Sequence, residues 1–398
     1  MESGKRARRR ARARGWCQIA ITVVAALTAA GCLRSSPPQK PRHRNPPEVT
    51  AMGRPAPPPM QSALGVSCAS TRRCLAVGLG SAQSAAIALT TDAGASWGAV
   101  TVPPSVDALN GVSCDDGGYC MAVGSSLTGS GQIGAAVFSS DGGTTWSSAT
   151  SPSGSVALTG VSCAAKLRCL AIATDGSTYW SALTANGGAT WSRGGGLPGQ
   201  MSVNGAFTCW TPQSCLVAGF VPTSSATGNG AIAATSNAGT TWAPVTLPAG
   251  VGVLRAVDCN SANCMAVGSG SGPTSGFAPA PGQLLSSDDS GASWSVARAP
   301  LGDDGFGVAC PNQKACLIVG TRWTASDPRQ PTPAIVATVD DGLSWHDSIS
   351  KFVPVGMDAV ACPVANRCVA AGGNVLASVD LPIKVARKAK AASGSRAR

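Results

Sequence analysis

Seven times along this 398-residue chain an apolar run ends in a cysteine, five residues intervene (four in the fifth copy), and a second cysteine opens another apolar run. The pairs are Cys68/Cys74, Cys114/Cys120, Cys163/Cys169, Cys209/Cys215, Cys259/Cys264, Cys310/Cys316 and Cys362/Cys368. First cysteines recur every 46 to 52 residues, so the chain is built from one supersecondary unit repeated seven times.

Each unit has four short apolar runs. In the second they are Leu109-Asn110-Gly111-Val112-Ser113-Cys114, Cys120-Met121-Ala122-Val123-Gly124, Ala135-Ala136-Val137-Phe138-Ser139 and Trp146-Ser147-Ser148-Ala149-Thr150. Val, Ala, Ser, Thr and Gly dominate, turn residues separate the runs, and no helical apolar period appears, which is the pattern of short antiparallel strands. A four-stranded sheet cannot bury both faces alone, but seven stacked around an axis bury each other. The expected fold is all-β: a seven-bladed β-propeller of four-stranded antiparallel blades over residues 64–380.

A second repeat, Ser/Thr-x-Asp/Asn-x-Gly-x-x-Trp, lies between the third and fourth runs of six units. It runs Thr90-Asp92-Gly94-Trp97, Ser139-Asp141-Gly143-Trp146, Thr184-Asn186-Gly188-Trp191, Thr235-Asn237-Gly239-Trp242, Ser287-Asp289-Gly291-Trp294 and Thr338-Asp340-Gly342-Trp345. Asp or Asn can take backbone N–H bonds within a turn, Gly supplies positive φ, and Trp fills the gap beside the next strand. These residues resemble the Asp-box (BNR) repeat of sialidase-like propellers, seen also in sortilin-type receptors and photosystem II assembly-factor propellers. The resemblance implies that these turns are structural and lie away from the ligand-binding face. Two copies carry neutral Asn, which argues against a calcium site there.

The seventh unit lacks the Gly and Trp after Asp380, and so its fourth strand is missing. Two segments could supply it, 48–52 or 381–385. The first is preferred, because it precedes Leu64 much as Ala99 to Val102 precede Leu109.

The remaining cysteines, Cys17 and Cys32, lie in an N-terminal segment of different character. Seven Lys/Arg precede residue 16, and a small, apolar stretch from Ile19 ends in Ala29-Ala30-Gly31-Cys32. Residues 1–31 read as a secretory signal whose apolar stretch is too short to cross a bilayer comfortably. Their end resembles a bacterial lipoprotein signal, with Ala29 where Leu is usual, which implies acylation of Cys32 and attachment to the outer face of the cell membrane. A simple cleaved signal and an uncleaved anchor are the alternatives. In an oxidising compartment, regularly spaced cysteines are expected as disulfides within each unit. Zinc is disfavoured, since the spacing is wide and the chain holds two His, His43 and His346.

The net charge of +11 divides unevenly. Residues 1–31 carry +6, the Pro-rich tether 32–63 carries +4, the tail 381–398 carries +6, and residues 64–380 carry −5. The folded part is therefore mildly acidic, and a nucleic-acid partner is not expected.

Residues 64–380 contain no glutamate, and the chain's two tyrosines are Tyr119 and Tyr179. The glutamate-paired tyrosine nucleophile and arginine cluster of sialidases are thus missing, and no nucleotide fingerprint or cofactor motif is present. A non-catalytic monomer that binds a protein or glycan ligand at the cell envelope is the preferred reading. A divergent exo-glycosidase and an assembly factor for a membrane protein complex are the rivals. With the cysteine turns and Asp boxes on one face, ligand contacts are expected on the opposite loops of units three to six. The candidates are Asp175, Tyr179, Trp180, Phe220, Phe277, Arg322, Trp323, Asp327 and Arg329.

Overall fold

A computed structural model describes residues 49–57, 60–223, 228–270, 281–298, 304–324, 327–351 and 356–382, with the side chains of residues 83, 323–331 and 349–351 outside that description. Cys32, Phe277 and the tail beyond Pro382 lie outside the described residues.

The fold is an all-β propeller of seven four-stranded blades. In blade two the inner strand Ala108–Cys114 turns back into Cys120–Thr128, which pairs with Gly131–Ser139 and through it with the short outer strand Ser147–Ser148. Blades one, three, four and five repeat this order as separate sheets. Blades six and seven share one eight-stranded sheet, because Val49–Pro55 lies between the outer strand of blade six, His346–Lys351, and the third strand of blade seven, Val375–Asp380. It runs antiparallel to blade seven from Thr50↔Asp380 to Pro55↔Val375 and parallel to blade six from Val49↔Ser348 to Met52↔Lys351. The N-terminal segment thus supplies the strand that the seventh unit lacks. Its alternation suits the place, with Val49 and Ala51 buried and Thr50 and Met52 exposed.

Each blade has a neighbour on either side, so second strands are buried on both faces; Cys74, Leu75, Ala76 and Val77 are all fully buried. Apolar layers form between blades, as where Leu75, Val77 and Ile87 of blade one meet Leu109, Val112 and Val137 of blade two. Truncating a side chain so enclosed, Leu75 for example, costs about 2–5 kcal/mol.

All seven cysteine pairs are disulfides within their units: Cys68–Cys74, Cys114–Cys120, Cys163–Cys169, Cys209–Cys215, Cys259–Cys264, Cys310–Cys316 and Cys362–Cys368, with Cα atoms 3.9–4.1 Å apart. The bridges are less superficial than a position at a polar turn suggests. The second cysteine of every pair, Cys74, Cys120, Cys169, Cys215, Cys264, Cys316 or Cys368, is at most 4% exposed. Each belongs to a second strand, the most enclosed strand of its blade, and so packs as a core residue. Cys368, for example, lies in the apolar layer with Val49, Leu317 and Val379.

The Ser/Thr-x-Asp/Asn-x-Gly-x-x-Trp segments form one turn six times. The first hydroxyl accepts the N–H of Gly94, Gly143, Gly188, Gly239, Gly291 or Gly342 at 2.8–3.0 Å. The glycine and the residue before it both adopt positive φ, 88° and 62° at Gly94 and Ala93. That preceding residue donates its N–H to a cysteine turn, as Ala93 does to the Arg72 carbonyl and Gly142 to Gly118, each at 2.8 Å. Both kinds of turn therefore lie on one face of the disc. In Asp92, Asp141 and Asp289 donors from Ser96, Thr145 and Ser293 hold the carboxyl down at about 2.

Gly194-Gly195-Gly196, which reads as a turn in the sequence, is part of the outer strand Ser192–Gly196 of blade three. The turn of blade four rests on it. A Cβ on Gly195 would stand 2.7 Å from the Thr240 carbonyl oxygen, so the glycines mark a close approach of two backbones.

Candidate functional site: the axial channel

Inner strands carry one residue more than the strands they pair with. The register slips between Ala63 and Gly65, Leu109 and Gly111, Leu158 and Gly160, Leu254 and Ala256, and Gly305 and Gly307. The extra residues, Leu64, Asn110, Thr159, Arg255 and Phe306, are β-bulges, which re-aim a side chain away from the ladder. In blades four and seven Asn204 and Asp358 hold the equivalent place, just ahead of the inner strands Phe207–Cys209 and Ala359–Val364. These seven residues, one from each blade, line a single cavity of about 360 Å³.

Glycine makes the ring this tight. A Cβ on Gly65 would lie 3.1 Å from the Cα of Gly111, and one on Gly111 would lie 3.4 Å from the Cα of Gly160, so neighbouring inner strands meet glycine to glycine. Beside the bulges of blades one, two, five and six a carbonyl crowds the second strand, where a Cβ on Gly124, for example, would overlap the oxygen of Ala108.

Chemistry is uneven around the ring. Asn110, Thr159 and Asn204 form an uncharged polar arc; Asn110 donates Nδ2–H to the Leu158 carbonyl at 2.9 Å, and Asn204 is exposed. The facing arc contains both charges. Arg255 Nε lies 3.1 Å from both carboxylate oxygens of Asp304, and its guanidinium stands 5.0 Å from the Phe306 ring centre. Asp358 makes no ion pair among the described residues; burial raises its proton affinity, opposed by the Gly373 N–H. Apolar residues flank it in the adjoining blades, Phe306 in blade six and Leu64 in blade one.

One residue ahead of the first cysteines, a second row of side chains bonds blade to blade. Ser67 Oγ accepts the Cys114 N–H and Ser113 Oγ the Cys163 N–H. Asp258 spans three blades, accepting the Cys310 N–H at 2.7 Å and the Thr208 hydroxyl at 3.1 Å. Burial still pushes its carboxyl up to about 6.

The residues expected from the sequence are not gathered around this channel. Asp175 bends its two oxygens onto its own hairpin, accepting from the N–H and hydroxyl groups of Ser177 and Thr178, and these donors depress its pKa well below the usual carboxylate range. Trp180 is not a loop-surface residue: it is 1% exposed, packed between blades two and three, with Arg193 lying 4.0 Å over its ring. The alternation of its strand, Tyr179–Thr184, turns it toward blade two, where the large ring fills the space beside Ala171 and Ala173. Tyr179 is half-buried against the apolar layer that includes Leu170, Ile172, Met201 and Val203. Phe220 is also half-buried and pairs with Gly230. Arg322 makes a 2.8 Å ion pair with Asp347 on the outer strand. Trp323, Asp327 and Arg329 lie in the strands of the same long hairpin, where Thr324 pairs with Asp327. The bridged cysteines are structural rather than contact residues, since buried sulfurs such as those of Cys169, Cys215 and Cys368 are closed to a ligand.

The bulge residues escaped sequence reasoning, although a signal exists. The four positions after them run Gly-Val-Ser-Cys in three units, while the bulge position itself changes from Leu to Asn to Thr. A variable position inside a constant strand marks a side chain freed from packing.

No protein-family model matches the chain, and no curated protein matches it. Solved structures share its fold. A YCF48 structure described as bound to D1 peptide superimposes with a TM-score of 0.59 at 15% identity, covering 83% of this chain and 96% of that one. YCF48 from Cyanidioschyzon merolae gives 0.54 at 15% identity, covering 84% and 99%. The GH74 xyloglucanase from Xanthomonas campestris gives 0.57 at 16% identity over 82% of this chain but 53% of its own. At such identities the likeness is one of fold.

Proposed function

We propose that this chain is an exported, non-catalytic binding propeller that engages a protein segment at the mouth of its axial channel, on the face opposite the cysteine turns. The observation that carries this reading is the ring of seven bulge residues. A rigid fold places seven side chains of six kinds at one opening, and the cavity they line is at the small end of the range for ligand pockets. The hairpins of blades three to six, with Tyr179, Phe220 and Arg322, border that face and extend the contact.

Tyr119 supports a non-catalytic role. It is 3% exposed beside the Phe138 ring, and burial pushes its phenol up to about 12, the reverse of an activated nucleophile. Seven disulfides suit a location outside the cytoplasm. An acylated Cys32 would hold the propeller at the membrane surface, and the six turns are assigned to the Asp-box type. The peptide complex described for a propeller of similar fold makes a protein segment the preferred ligand over a glycan.

The test is a crosslinked pull-down of the mature protein from its own envelope, beside a variant with Asn110, Thr159 and Asn204 all changed to Ala. A partner recovered by the wild type and lost by the variant is expected. Equal recovery would remove the channel from the binding site, and turnover of a fluorogenic glycoside panel would replace binding with catalysis.

A further inference from the structure

We infer that the axial channel receives a primary ammonium group on an aliphatic stem, seated against Asp358. This deepens the proposed function and rests on the channel being the binding site.

Charge comes first. Of the seven lining residues only Arg255 and Asp358 are charged, and Arg255 is neutralised by Asp304. The channel therefore retains one negative charge, on a carboxylate that is half-buried and without an ionic partner among the described residues. A carboxylate withdrawn from water without a counter-charge is costly, and a cation entering the channel removes that cost. An anion would meet the opposite balance.

The neighbours of Asp358 select the kind of cation. Phe306 and Leu64 stand on either side of it in the ring, so the carboxylate is bordered by apolar side chains of the same cavity. A small hydrated metal ion gains nothing there. A lysine does, because its methylenes pack on apolar surface while its ammonium reaches a polar end. An ammonium brings three donors, and the side-chain oxygens of Asn110, Thr159 and Asn204 line the same cavity as further acceptors. The Phe306 ring is itself engaged by Arg255, whose guanidinium stands 5.0 Å from its centre, which leaves Asp358 as the group that meets the ammonium. A cavity of about 360 Å³ admits a side chain or a chain end and excludes a folded element.

Two sources share this chemistry, a lysine side chain and the α-ammonium of a chain end. Nuclear magnetic resonance titration of the oxidised protein with Nα-acetyl-lysine methylamide, Nα-acetyl-norleucine methylamide, Nα-acetyl-arginine methylamide and glycine methylamide separates them. The lysine probe is expected to bind saturably at millimolar concentration, with shifts at the bulge residues, and norleucine is expected not to bind. Asp358→Asn should weaken the lysine probe roughly tenfold or more, as loss of a charge-assisted contact does. Asn204→Asp alters an exposed residue and adds a second carboxylate to the ring; it should strengthen binding, which a merely misfolded variant cannot do. Tighter binding of glycine methylamide supports the ammonium site and assigns it to chain ends. Equal binding of norleucine or arginine, or no saturable lysine binding, overturns the inference. If the pull-down succeeds while the lysine probe fails, the channel remains the binding site and only the ammonium assignment is lost.

Discussion

Replacing Asp258 by asparagine should stabilise the propeller near neutral pH and leave it almost unchanged in acid. The carboxylate of Asp258 joins blade five to the Cys310 N–H of blade six and the Thr208 hydroxyl of blade four. These bonds favour the ionised form, yet burial outweighs them and places the folded-state pKa at about 6. An unfolded aspartate titrates near 3.9. The folded chain thus holds the proton more tightly than the unfolded one. Its contribution to stability is complete below about pH 4 and is lost as pH rises through about 6. A difference of two units corresponds to roughly 3 kcal/mol. Asparagine resembles the protonated acid: its carbonyl can keep the Cys310 N–H, and its amide can donate to Thr208 once that hydroxyl turns. Urea unfolding followed by tryptophan fluorescence, on oxidised protein between about pH 4 and pH 7.5, reads the difference between variant and wild type. The advantage of the asparagine should grow across that interval and level off above about pH 6.5. A flat difference, or an asparagine variant that falls behind as pH rises, would refute the reasoning.

Two other perturbations probe the frame. Cys114 and Cys120 changed together to Ala should lower stability by at least about 2 kcal/mol, the loop-closure value for so short a loop, to which the lost packing of buried Cys120 adds, with the other six bridges intact by non-reducing peptide mapping. Ala51→Asp places a carboxylate where 3% of the residue is exposed, and should release the closing strand to limited proteolysis ahead of Met60 under native conditions. Met52→Asp, at a residue 46% exposed on the opposite side of that strand, should leave it protected.

Much of the fold was legible because its determinants are local. Cysteines placed across one hairpin and a turn completed within eight residues recur at fixed offsets, so their period is the blade period. The missing fourth strand was visible as a gap after Asp380, since six complete units defined what should follow. The channel was less legible. A bulge is a register shift of one residue, decided by how an inner strand pairs and by how closely Gly111 approaches Gly160, and neither leaves an apolar period. Trp180 shows the same limit from the other side. Its position near a hairpin suggested the surface, whereas the neighbouring blade covers that face of its strand and the alanines around it leave room for the ring in the core. For Asp175 the residue type suggested a ligand contact, but neighbouring Ser177 and Thr178 supply enough donors to occupy its carboxylate locally.

The closing strand also decides how the ring would bear load. A pull on the chain ahead of Val49, directed along the strand, acts on two ladders at once, six residue pairs on blade seven and four on blade six. Both are loaded in shear, so their bonds must give way together instead of opening one by one from an end. The force then passes into two blades rather than one, and a propeller held from its N-terminal side can be tugged without its ring springing open at the seam.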